Sequence, residues 1–217
     1  ILLILTSSLP FNHASDPDPQ QDFCIAASTV NETVFVNGLL CKDPSKAVAN
    51  DFYLQANFTE PANASNPLGL GVTRATVAQF PGLNTLGVSF VRFDYAPKGI
   101  NPPHIHPRAS EILFLLNGKL NVGFVTSNPS YPTVKNKLFE KNLSAGDLFV
   151  FPKGLIHYQY NYGNESAVAF AALGSQSGGL ITVANAVFGS DPFIDSSVLE
   201  KAFGVGKKEI VDLEKQF

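Results

Sequence analysis

From about residue 68 to residue 187 the chain runs in short apolar, β-branched and aromatic stretches, each halted by Gly, Pro or Asn before a stable helix could form. The stretches 85–95, 111–116, 119–125, 147–151, 156–160, 167–171 and 180–184 read as strands. Turn signals recurring every ~8–12 residues indicate an all-β sandwich or barrel. Asn117-Gly118 is a two-residue hairpin signal, because both residues tolerate left-handed backbone. Lys119 to Val125 alternates as the strand expected to return from that hairpin.

The flanks differ from this core. Residues 1–14 open with the apolar run Ile1 to Leu5 and are expected to be the remnant of a secretory signal peptide cleaved near Ala14; a buried first strand is the alternative. Residues 15–67 are polar, proline-broken and loop-rich. In residues 188–217, Asp195 can cap a helix carrying Val198, Leu199, Ala202 and Phe203. After the breaks at Gly204 and Gly206, Ile210, Val211, Leu213 and Phe217 share one helical face. Helices this short need a packing partner.

A chain of 217 residues with 45% hydrophobic content and a net charge of −3 is neither disordered nor suited to a polyanion, which excludes nucleic acid as a partner. No stretch reaches the ~20 apolar residues of a membrane span. Charged residues make up 15%, below the usual share of about 25%, as expected if part of the surface is covered by other subunits or by sugar. Five N-x-[ST] sequons, at Asn31, Asn57, Asn63, Asn142 and Asn164, are candidate glycosylation sites in an exported chain. Export also suits a single disulfide between Cys24 and Cys41, with two free buried thiols as the alternative.

The mature chain concentrates its histidines in two places. His104 and His106 are separated by one residue, so on extended backbone both rings face the same side. Pro107 turns the chain, and Glu111 opens the next apolar run. His157 follows the turn Pro152-Lys153-Gly154. Three imidazoles and a carboxylate without thiolate suit Mn, Fe or Zn; octahedral completion by water favours Mn or Fe.

The segment from Gly99 to Gly118, containing Pro102-Pro103-His104-Ile105-His106-Pro107-Arg108-Ala109-Ser110-Glu111, resembles the first cupin motif, and Gly146, Pro152, Gly154, His157 and Asn161 resemble the second. Together with Ser15-Asp16-Pro17-Asp18-Pro19 and Phe188-Gly189-Ser190-Asp191-Pro192, this wording resembles the plant germin-like proteins. The resemblance implies a cupin jelly-roll β-barrel with short C-terminal helices and a disulfide-clasped N-terminal extension. It implies one Mn per subunit on His104, His106, Glu111 and His157, an apoplastic or cell-wall location, and a hexamer built as a trimer of dimers.

Two positions depart from the family pattern. Lys98 stands where the first motif begins with glycine, and adjacent Gly99 is expected to absorb the change. Oxalate-oxidising germins carry two asparagines that help hold substrate; one matches Asn101, a candidate catalytic outer-sphere residue, and the other falls on Val91. Valine donates no hydrogen bond, and a missing charge-assisted bond costs about 1.5–3 kcal/mol, which argues against oxalate. With the nitrogen–oxygen ligand set, the resemblance implies Mn-dependent superoxide dismutation in plant defence as the expected activity. A non-catalytic extracellular binding or structural glycoprotein is the alternative, with oxalate oxidase behind both.

Overall fold

A computed structural model of the chain describes residues 24–27, 34–36, 39–131 and 133–217. The signal-peptide remnant, the Ser15–Pro19 motif segment and the sequon at Asn31 lie outside the described residues. In the N-terminal region β1 (Val34–Val36) pairs antiparallel with β2 (Leu39–Cys41). Cys24 and Cys41 are joined in a disulfide, and both are buried.

Ten further strands follow among the described residues: β3 (Leu70–Ala75), β4 (Ser89–Tyr95), β5 (Ile100–Ile105), β6 (Glu111–Asn117), β7 (Lys119–Val125), β8 (Leu138–Ser144), β9 (Leu148–Phe151), β10 (His157–Tyr160), β11 (Ala167–Leu173) and β12 (Ile181–Thr182). They form two five-stranded antiparallel sheets, ordered β3-β4-β11-β6-β9 and β12-β5-β10-β7-β8. From β4 to β7 the chain crosses from sheet to sheet at every connection, and the two sheets enclose one core in the cupin jelly roll.

Alternation builds that core. In β11 every second residue is buried, and in β6 Glu111, Leu113 and Leu115 point inward while Ile112 and Phe114 point out. Val91, Phe93 and Tyr95 of β4, Leu120 and Val122 of β7, and Phe151 of β9 complete the packing. Each such aliphatic or aromatic side chain contributes roughly 1.5–3 kcal/mol by leaving water.

Three readings of the sequence change. Asn117-Gly118 does not make a hairpin, because β6 and β7 belong to different sheets. Gly118, at φ 91°, turns the chain across the barrel against Ala167, where a Cβ would collide. The stretch 180–184 is a strand only at Ile181–Thr182 and then becomes α1 (Val183–Phe188). The left-handed conformation expected to be taken up by Gly99 falls on Lys98 itself, at φ 64°, with Lys98 Nζ donating to Tyr162 O at 2.8 Å.

Outside the barrel, the arm through Phe58 and Ala62 lies on the outer face of β4. Arg92 Nη1 donates to Phe58 O at 2.6 Å, and Asp94 accepts from Ala62 N at 2.9 Å. At the C-terminus α2 (Ser196–Phe203) begins at Asp195, whose carboxylate accepts from Ser197 N at 2.8 Å, and ends at left-handed Gly204. A final helix, α3 (Lys207–Glu214), follows. Leu199 and Ile210 anchor these two helices, while Val198, Phe203, Leu213 and Phe217 remain exposed. Among the described residues no helix is long and apolar enough to cross a membrane.

Candidate metal centre

The jelly roll brings His104, His106, Glu111 and His157 together at one end of the core. His104 sits in β5 directly opposite His157, the first residue of β10. His106 follows two residues after His104, on the same face, and Glu111 begins β6 in the opposing sheet. One ligand atom from each of the four side chains lies within 4.8 Å of the others. Three of the four are 1% exposed and His106 is 9% exposed.

The backbone sets the orientation of each ring. His104 Nδ1 lies 2.7 Å from Pro102 O, His106 Nδ1 2.5 Å from Gly179 O, and His157 Nδ1 2.9 Å from Leu155 O. A carbonyl only accepts, so each Nδ1 is the protonated nitrogen and each Nε2 presents a lone pair. Phe151 stacks on His157 with ring centroids 4.6 Å apart, which holds that ring in place. The two-residue return from ring to carbonyl in His104 and His157 is local, whereas Gly179 is recruited from the β11–β12 connection. Nothing in the sequence flagged Gly179 or Phe151; the adjacent Gly178-Gly179 pair was the available signal for a close approach.

These lone pairs converge on buried space. The Nε2 atoms of all three histidines and both carboxylate oxygens of Glu111 have no hydrogen-bond partner. His106 Nε2 lies 2.8 Å from Glu111 Oε2, a close approach without hydrogen-bond geometry. Leaving five buried polar atoms unmet is costly, and a cation among them satisfies all at once. The donor set therefore fits a metal ion.

Electrostatics agree with that reading. Burial, joined by the neighbouring His157, lowers His104 to about 4, so this ring is neutral at physiological pH. Burial acts to raise Glu111, but the imidazoles of His106 and His157 outweigh it and hold the carboxyl at about 2. Burial likewise opposes a proton on His106, and Glu111 reverses the balance, raising it.

A cavity of about 910 Å³ adjoins His104 and His106. Its lining includes Asn101 and Val91, so both positions singled out from the sequence face the same space. Asn161, the last residue of the second motif, serves the frame instead: its Nδ2 donates to Ala96 O and Glu165 O.

Fold and site together define a cupin protein, and the cupin family model matches residues 56–211. The chain is 55% identical over 205 residues to germin-like protein 8-12 of Oryza sativa subsp. japonica, covering 94% of this chain and 88% of that one. It is 50% identical to germin-like protein subfamily 1 member 14 of Arabidopsis thaliana, covering 100% and 96%. The chain belongs to the germin-like proteins. Among solved structures, a recombinant oxalate oxidase in complex with glycolate superposes with a TM-score of 0.84 at 43% identity, over 93% of this chain and 98% of that one. Peruvianin-I, a cysteine peptidase from Thevetia peruviana latex, gives 0.67 at 38% identity over 77% and 98%. Both cysteines of the present chain are in the disulfide, which leaves no thiol nucleophile.

Proposed function

We propose that this is a secreted, manganese-holding germin-like glycoprotein of the plant cell wall that dismutates superoxide and acts in defence. The observation that carries the reading is the set of three bare Nε2 atoms and one carboxylate, buried without partners. His104, His106, Glu111 and His157 would hold the ion, and a nitrogen–oxygen set without thiolate favours Mn or Fe. Bound manganese would supply one-electron exchange, which Zn cannot. The balance is two superoxide anions and two protons giving O2 and hydrogen peroxide. The chain's own part is to hold the rings with their Nε2 lone pairs inward, exclude competing ligands by burial, and place Asn101 on the approach cavity to orient a bound water or anion.

Oxalate is disfavoured because Val91, 6% exposed on the cavity wall, offers no donor. A second reading, a non-catalytic extracellular binding or structural glycoprotein, is favoured by the depth of the ligand set, since metal-binding free energy at such a site is also folding free energy. Secretion is supported by the disulfide, and glycosylation by the exposure of Asn57, Asn63, Asn142 and Asn164. A homohexamer, as a trimer of dimers, is supported by outward pairs such as Ile112 with Val150 and Phe114 with Leu148, which are 36–59% exposed.

The deciding experiment is metal analysis of the purified native protein followed by superoxide and oxalate assays on the same sample. Manganese near one ion per chain, with dismutation above a free-Mn control, is expected. A manganese-loaded protein no faster than that control removes the dismutase reading and leaves the non-catalytic one.

A further inference from the structure

The cavity beside the metal centre opens between the edge strands β3 and β12. Its walls are mainly apolar, from Leu70, Val72, Val91, Phe93, Leu173 and Ile181. Among the described residues one formally charged side chain lines it: Arg74. The register explains its presence there. Leu70 pairs with Tyr95, Val72 with Phe93 and Arg74 with Val91, and directly opposed residues of an antiparallel pair share a face. Arg74 therefore continues the inward row of β3, beside Val91. Among the described residues no carboxylate pairs with it.

A cation unpaired among the described residues, on an apolar wall beside a buried metal-ligand cluster, is suited to drawing in negative charge. Low-dielectric walls focus its field toward the ligands instead of dispersing it into water. The guanidinium also presents a planar fork of donors on the side of the cavity where Val91 has none.

We propose that Arg74 is the anion-recognition residue of this cavity, guiding small monoanions to the open side of the metal centre. The inference rests on the proposed metal site but not on dismutation itself. The competing explanation is that Arg74 merely guards an edge strand against pairing with another chain, since inward charge on an edge can do that.

Azide, a small monoanion that is not turned over, is the probe, titrated into metal-loaded wild-type, Arg74→Gln and Arg74→Lys proteins by calorimetry. Arg74 is exposed, so these variants should keep wild-type metal content and melting temperature. The expected result is azide binding about tenfold weaker in Arg74→Gln, the lower range for one lost charge-assisted hydrogen bond, and largely restored in Arg74→Lys. The rate with superoxide should fall with ionic strength in the wild type and flatten in Arg74→Gln. Azide affinity unchanged in Arg74→Gln overturns the proposal, as does a metal-loaded wild type with no saturable azide binding; altered self-association alone supports the edge guard. If the wild type dismutates nothing while Arg74→Gln still loses azide affinity, the anion site stands and only the dismutase reading falls.

Discussion

His104 and His157 face each other across the β5–β10 pairing, with ring centroids 4.0 Å apart and each Nδ1 bonded to a carbonyl two residues earlier in the chain. The same local device, used twice, turns both Nε2 lone pairs toward one point. His106 and Glu111 reach that point from a loop and from the opposite sheet.

Removing one of those ligands should empty the site. His157→Ala is expected to weaken metal binding by more than about 100-fold, beyond the 10–100-fold typical of losing an outer-sphere partner. Metal content after exhaustive dialysis reads this directly. Retention of a full metal complement would place the ion elsewhere.

The metal-free protein should lose stability in acid. His104 takes its proton at about 4 in the folded chain against 6.5 for the free side chain. Above 6.5 it is neutral in both states; as pH falls from 6.5 toward 4 the unfolded chain takes up the proton first, and unfolding gains by up to about 3 kcal/mol. Glu111, held at about 2, extends the loss below 4.5, whereas His106, raised by Glu111, offsets part of it. Urea denaturation at pH 7 and pH 5 measures the difference, and His104→Gln should shrink it. An unchanged pH dependence in that variant would count against the assignment.

Val91→Asn tests the proposed case against oxalate. Restoring a donor beside the ligand cluster should tighten glycolate or oxalate binding by about tenfold, with peroxide release from oxalate as the accompanying readout. The cost is some stability, because an amide replaces a buried methyl pair. If the variant gains neither affinity nor peroxide release, the missing donor at position 91 is no argument against oxalate.

The outer clamp on β4 is a separate unit. Arg92 Nε donates to Asp94 at 2.9 Å while its Nη1 holds the arm at Phe58 O, and both side chains are under a tenth exposed. Arg92→Met leaves Asp94 buried and uncompensated, so a loss of roughly 3 kcal/mol is expected in chemical denaturation. A double variant with Asp94→Leu should recover part of it, since replacing both partners by apolar groups removes the stranded charge.

Much of this arrangement was legible in the chain because it depends on short-range geometry. The i, i+2 spacing of His104 and His106 places two rings on one face of any strand, and Asp195 caps its helix through a neighbour two residues away. The alternation in β7 and β11 likewise needs only the pleat. Matching motif wording then supplied Glu111 and His157, which no local rule ties to the first two rings. Reading failed where one signal serves two geometries. Asn117-Gly118 permits a left-handed turn, but whether that turn closes a hairpin or crosses to the other sheet depends on the partners of β6, which are β11 and β9. Arg74 carries no local signal of its role, because an arginine looks like surface until its cross-strand partner is known to be Val91.

Sequence alone determined the ligand types, the supply of just two cysteines and the β-rich character of the chain, since residue chemistry and period-2 patterning are properties of neighbouring residues. The tertiary structure decided which sheet each strand joins, which carbonyls orient the rings and which cation faces the cavity. Those outcomes come from pairings between distant segments, whose closure entropy is recovered only when the whole barrel packs, and no window along the chain contains them.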